Sequence, residues 1–124
     1  MSNPFLDALT RSPQPSEKFQ EPLKILDEFC DAVRDYTEGR AKAWRERGFV
    51  TNYGQEWRIM LQSTSGGPEQ PMFRAYVPAG GYPAGLDLHQ AEVTEYPDGD
   101  SIRKALVQFL EDPSVKEQIR YFAS

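Results

Sequence analysis

Three short runs in which apolar and polar residues alternate one by one constrain this chain more than anything else in it: 57–62, 72–77 and 86–89. A period of two is the signature of a strand with one covered face. Trp57, Ile59, Leu61, Phe73, Ala75, Val77, Leu86 and Leu88 fall on one side of such strands. Arg58, Met60, Gln62, Met72, Arg74, Tyr76, Asp87 and His89 fall on the other. Ser65-Gly66-Gly67-Pro68 separates the first two runs, and the loop from Pro78 to Gly85 separates the second from the third. Residues 92–96 read equally as a fourth short strand or as extended coil.

The segments around these strands have helical spacing. Ser16 is placed to cap a helix whose body starts near Pro22, and the pattern predicts that it runs to Arg47 with Gly48 as its stop. Leu23, Leu26, Phe29, Cys30, Val33, Tyr36, Thr37, Ala41 and Trp44 recur at steps of three and four along it, with Gly39 marking a bend. After the turn Pro97-Asp98-Gly99-Asp100, a second helix is capped by Asp98 or Asp100 and turns Ile102, Ala105, Leu106, Phe109 and Leu110 inward. Asp112-Pro113 opens a last helix with Val115, Ile119 and Phe122 as its buried residues. Residues 1–15 form an arm in which Pro4, Pro13 and Pro15 surround Phe5, Leu6, Ala8 and Leu9, enough for a turn or two of helix. Asn3-Pro4-Phe5 within it matches a short endocytic recognition motif, a match that recurs by chance in three residues.

The remaining 16–124 fit one α+β domain: two layers, with a mostly antiparallel sheet of three or four strands and the long N-terminal and the C-terminal helices packed on one face. The full length of 124 residues is sufficient to bury a core without a disulfide or metal. Cys30 is the single cysteine, so neither an intrachain disulfide nor a cysteine-based zinc cage is available, which agrees with a cytoplasmic, reducing setting. A formal charge of -5 argues against nucleic-acid binding, which needs clustered Lys and Arg. No apolar run approaches the roughly 18 to 20 residues that a membrane helix requires, and no signal-peptide pattern opens the chain, so neither a membrane partner nor a leader is expected.

Chemistry-bearing motifs are few. His89 with Asp87 two residues away has the form of an acid–base pair, with Arg74 and Tyr76 as helpers, but no nucleophile, second histidine or Gly-x-Ser-x-Gly elbow accompanies it. No catalytic residue is assigned, and the sequence points away from an enzyme. The Gly-rich stretch 78–85 lacks the Lys of a phosphate loop and lies between strands, so its role is a wide hairpin connection that exposes Tyr82 as a contact residue. Asp98 and Asp100 resemble only a fragment of a calcium loop and serve capping more economically. No metal or cofactor is expected.

Small size, acidity and a helix followed by three strands resemble the chaperones of bacterial secretion systems, whose later strands have no counterpart here. The chaperone likeness is an analogy of layout, and the function expected is a non-enzymatic cytoplasmic interaction module, chaperone-like, immunity-like or accessory, that uses the second sheet face. Its partner would be another protein or a second copy of itself. Candidate binding residues are Arg58, Met72, Arg74, Tyr76, Tyr82, Asp87 and His89, because Tyr, Met and Arg are types that interfaces favour. Two other readings compete with it. One is a solvated sheet face on which Arg74 and Asp87 form an ion pair, and the other is a small enzyme or small-molecule binder with a pocket around Arg74, Tyr76, Asp87 and His89.

Overall fold

A computed structural model of the chain describes residues 3–10, 17–89 and 92–124. The expected cap at Ser16 and the prolines at 13 and 15 lie outside the described residues. The elements are helix α1 (Pro4–Thr10), helix α2 (Glu17–Tyr36), strands β1 (Ala41–Thr51), β2 (Gly54–Ser63), β3 (Gln70–Val77), β4 (Ala84–Asp87) and β5 (Thr94–Tyr96), then helices α3 (Gly99–Glu111) and α4 (Pro113–Ala123). The strands form one five-stranded sheet in the order β1-β2-β3-β4-β5, every neighbour antiparallel. The α+β class holds, with one strand more than expected before the first anticipated strand and a further one at 94–96.

The long helix does not reach Arg47. It stops at Tyr36 because Glu38 and Gly39 take left-handed backbone, at φ 54° and 79°, which a helix cannot continue through. The Gly39 amide then bonds back to the Arg34 carbonyl at 2.8 Å, satisfying one of the helix's last acceptors. Thr37 fixes the exit. Its buried hydroxyl donates to the Val33 carbonyl at 3.0 Å and accepts the Ala41 amide at 3.1 Å, tying the end of α2 to the start of β1. Residues Ala41 and Trp44, which continued the helical stripe in sequence, belong instead to an edge strand. Lys42, Arg45, Glu46 and Arg47 stud that strand, and such charges keep a free edge from pairing with other chains.

All eight residues assigned to the covered face of the sheet point to the helices: Ile59, Leu61, Phe73, Ala75, Val77 and Leu86 are buried in the core, with Trp57 and Leu88 packed against it. From the helices come Leu23, Leu26, Phe29, Val33, Ile102, Leu106, Phe109, Val115, Ile119 and Phe122. At the centre three rings meet. Phe73 stands edge-on to Phe29 with centroids 5.1 Å apart and to Phe109 at 5.3 Å, so one strand residue joins α2 to α3. Met72 also enters this core, although alternation put it on the opposite face. The β2–β3 register shifts between Ile59, opposite Phe73, and Met60, opposite Pro71, leaving Met72 as the extra residue of a bulge. A bulge breaks strict alternation, so two successive side chains can face one way.

The C-terminal helices begin as their sequences predict. The Asp98 carboxylate accepts the Ser101 amide at 2.8 Å to cap α3, and Asp112 accepts the Ser114 amide at 2.9 Å to cap α4, with Pro113 in the first turn. Those bonds hold both carboxyls below the usual carboxylate range. The Asn3 side chain does the same for α1, accepting the Phe5 amide at 2.9 Å and the Leu6 amide at 3.3 Å. Asn at the cap and Pro at the first helical position thus explain the Asn3-Pro4-Phe5 triplet as helix-starting chemistry.

Cys30 sits on the buried stripe of α2. Burial pushes its thiol up to about 12, with the Asp27 and Asp31 carboxylates adding to the shift. A thiol reagent such as 5,5′-dithiobis(2-nitrobenzoate) at pH 8 is therefore expected to leave Cys30 unmodified in the native protein and to react fully in urea. Modification of the folded chain at the rate of a free thiol peptide would contradict this placement.

Candidate functional site

All of α2, α3 and α4 contribute to the core on one side of the sheet, and the opposite face of β1 to β3 carries the features that a partner would meet. The register builds that face in rows. Glu46, Arg58, Arg74 and Asp87 are directly opposite one another across β1 to β4, so one level of the sheet reads minus, plus, plus, minus. On one side of this row Trp44 lies opposite Met60, and on the other Glu56 lies opposite Tyr76, which lies opposite Gly85.

This second face is not simply wet. Met60 and Tyr76 are buried, the Tyr53 ring lies 5.7 Å from that of Tyr76, and Glu56 is buried with its carboxylate 3.5 Å from Arg58 Nε. The side chain of Val93 lies over Gly85, where even a Cβ would meet Val93 Cγ1 at 2.6 Å. Arg58 Nε and Asp87 Oδ1 are enclosed without a hydrogen-bond partner. Arg74 and Asp87 face each other in register, yet among the described residues no ion pair joins them. Arg74 is exposed.

Of the seven residues singled out in the sequence, the structure brings Arg58, Arg74, Tyr76 and Asp87 together on this face. Met72 is in the core. Tyr82 turns back across the domain: its hydroxyl donates to Glu21 Oε1 at 2.5 Å and its ring packs against the core, so it ties the β3–β4 loop to α2 rather than projecting from it. Burial, then the bond to Glu21, raises its pKa. His89 is also elsewhere, because β4 ends at Asp87 and the chain bends. Its ring lies 5.9 Å from Phe109, lining a crevice of about 140 Å³ with Leu88, Tyr96, Gln108 and Asp112 on the helix side. The acid–base pairing of His89 with Asp87 across a shared face therefore does not form.

What the sequence did not single out is the tip of the β1–β2 hairpin. Phe49 and Val50 are each 78% exposed and Tyr53 is 46% exposed. They surround a two-residue turn in which the Thr51 hydroxyl donates to the Gly54 carbonyl at 3.0 Å and accepts the Tyr53 amide at 3.1 Å. The local shift in register between Arg47 and Val50 interrupts alternation here, and the two large apolar residues are left adjacent in solvent. The signal was present as Phe49-Val50 before an Asn52-Tyr53-Gly54 turn, but it was obscured by extending the preceding helix to Arg47.

Of five surface concavities among the described residues, none is lined by Arg58, Arg74, Tyr76 or Asp87. The largest, an open cleft of about 810 Å³, lies between α2, β1 and the start of α3. Most of its charges are already engaged, Lys24 and Asp100 excepted. Arg45 binds Asp27 through two bonds of 2.8 and 3.3 Å and stacks 4.6 Å from the Trp57 ring centre; Arg103 reaches Glu28 at 3.4 Å, Glu21 holds Tyr82 and Asp98 caps α3. Among the described residues no group of three His, Cys, Asp or Glu side chains is arranged to hold a metal, and no helix is long and apolar enough to cross a membrane. No protein-family model, curated protein or solved structure matches this chain.

Proposed function

We propose that this protein is a non-enzymatic, cytoplasmic interaction module, chaperone-like or immunity-like in its mode of action, that grips a protein partner with the β1–β2 hairpin tip and the adjoining outer face of the sheet. The observation that carries this reading is the pair Phe49 and Val50, adjacent and largely exposed on a tight turn. Two large apolar side chains in solvent carry a hydration cost that a partner's surface would relieve, and Tyr53 in the same turn, with Arg58 and Arg74 further along the outer face, are types enriched at interfaces. The alternative of a pocket among Arg74, Tyr76, Asp87 and His89 loses its support, since His89 lies against Phe109 on the helix side.

The test compares the tagged full chain with its Phe49→Ser/Val50→Ser variant as bait in a lysate of the cells that encode it. The substitutions touch solvent-facing side chains, so stability is expected to stay within about 0.5 kcal/mol of the parent in urea unfolding. Partners retained by the parent should fall at least tenfold on the variant. The same partners at the same yield on both baits would refute the reading.

A further inference from the structure

We infer that the outer face of the β1–β2 hairpin pairs with the same face of a second copy about a twofold axis running along the hairpin between its two strands. This rests on the interaction reading above and names one partner for that face. The argument comes from the register. Across this hairpin Glu46 lies opposite Arg58, Trp44 opposite Met60 and Lys42 opposite Gln62. A twofold axis between the strands lays each β1 residue over the β2 residue it already faces within its own chain. Glu46 is therefore set over Arg58 of the second copy and Arg58 over Glu46, while Trp44, half exposed with Lys42 5.6 Å from its ring centre, covers the Met60 position. The axis runs parallel to the strands, so both hairpin tips point the same way and Phe49 and Val50 of the two copies come side by side.

The charges also exclude the more extensive stacking. An axis between β2 and β3 would overlap more of each sheet, but it lays Arg58 on Arg74 and Glu46 on Asp87, like on like. An axis further over, between β3 and β4, would have to stack on the side chain of Val93, which lies over Gly85. Of these three axes between strands, only the one between β1 and β2 both matches opposite charges at every superposed position of the row and stays clear of Val93. Its area is modest. A ten-residue hairpin face is roughly 33 Å long and 10 Å wide, about 330 Å² per copy and about 660 Å² in total, which is below the roughly 1,000 Å² of a stable specific interface and makes the pairing weak and concentration-dependent, with a Kd on the order of 10 μM.

Sedimentation equilibrium of the full chain over a concentration series, with Glu46→Arg and Arg58→Glu made separately, tests this arrangement. The parent should approach dimer mass at high concentration, and each reversal, which places like charges across the axis, should weaken association at least tenfold. Mixing the two variants should restore it, because the arginine introduced at position 46 of one chain then meets the glutamate introduced at position 58 of the other. A charge pair that acts only within one chain would not respond to mixing. Circular dichroism melts establish that both variants are folded before they are weighed. A parent that stays monomeric at about 100 μM, ten times that Kd, overturns the pairing without any variant. So does a dimer indifferent to both reversals, or a mixture of folded variants that remains monomeric. If the parent is monomeric while a Phe49- and Val50-dependent partner is still captured, the pairing fails and the interaction reading stands.

Discussion

Gly54→Ala is expected to lower the stability of the folded chain by about 3 kcal/mol, a large part of the roughly 5 to 15 kcal/mol that holds a domain together. Two effects combine at this position. Gly54 has φ 112°, a backbone conformation that side-chain-bearing residues rarely adopt, and a Cβ there would stand 2.5 Å from the Val77 carbonyl oxygen and 2.6 Å from Pro78 Cα and N. Those neighbours are backbone at the end of β3, so they cannot rotate out of the way. Gly39→Ala supplies the comparison, since Gly39 also has positive φ, at 79°, but a Cβ there would meet nothing within 4 Å. It should cost only about 1 kcal/mol, the backbone term alone. Urea unfolding of both variants measures the difference, and equal losses would show that the close approach of Gly54 to β3 is not required for stability.

Phe73→Ala should cost still more, about 4 kcal/mol. This side chain is 4% exposed and makes edge-on contacts with both Phe29 and Phe109, so its removal leaves a cavity between the sheet and two helices that neither can close alone. Phe73→Leu keeps most of the volume and should lose only about 1.5 kcal/mol. At the surface, Val107→Ala, on a residue 54% exposed, should stay within about 0.5 kcal/mol of the parent. The same denaturant series orders the three, and an alanine loss at position 73 no larger than the leucine loss would mean that the volume filled between the sheet and the two helices contributes nothing to stability.

The covered side of the sheet was legible from sequence because burial enforces alternation wherever a strand is regular. Trp57, Ile59, Leu61, Phe73, Ala75 and Val77 needed only period two to be oriented; the rule that a short acceptor precedes a helix was enough for Asp112 and narrowed the other cap to Asp98 or Asp100, of which the structure uses Asp98. Alternation failed at Met72, where a bulge adds one residue, and at His89, where the strand has already ended. Both departures depend on how two segments meet, and neither leaves a mark in the local sequence.

The larger error, the helix extended through 41–47, has a different cause. Ala-Lys-Ala-Trp-Arg-Glu-Arg is made almost wholly of good helix formers and continues the spacing of α2 through Ala41 and Trp44. It is a strand because pairing with β2 along most of its length outweighs a propensity worth only tenths of a kcal/mol per residue. Losing that strand also lost its hairpin, and with it Phe49, Val50 and the row position of Glu46. The sequence reading therefore found three positions on the outer face in the row Arg58, Arg74 and Asp87, but could not see the end of the molecule where the exposed apolar surface is concentrated.

The uninterrupted strand order carries a consequence for how the chain reaches this state. Each strand is hydrogen-bonded to the one that follows it in sequence, so the sheet can zip from hairpin to hairpin with only short loops to close. The contact between Phe29 and Phe109 is another matter, since it joins a helix that precedes the sheet to one that follows it. Closing it is entropically cheap only after the meander has drawn the two helices together, with Phe73 already in place between them. On loop-closure grounds, assembly of the sheet is expected to come before consolidation of the core, and the hairpin that presents Phe49 and Val50 belongs to the part of the molecule held by contacts between strands adjacent in sequence.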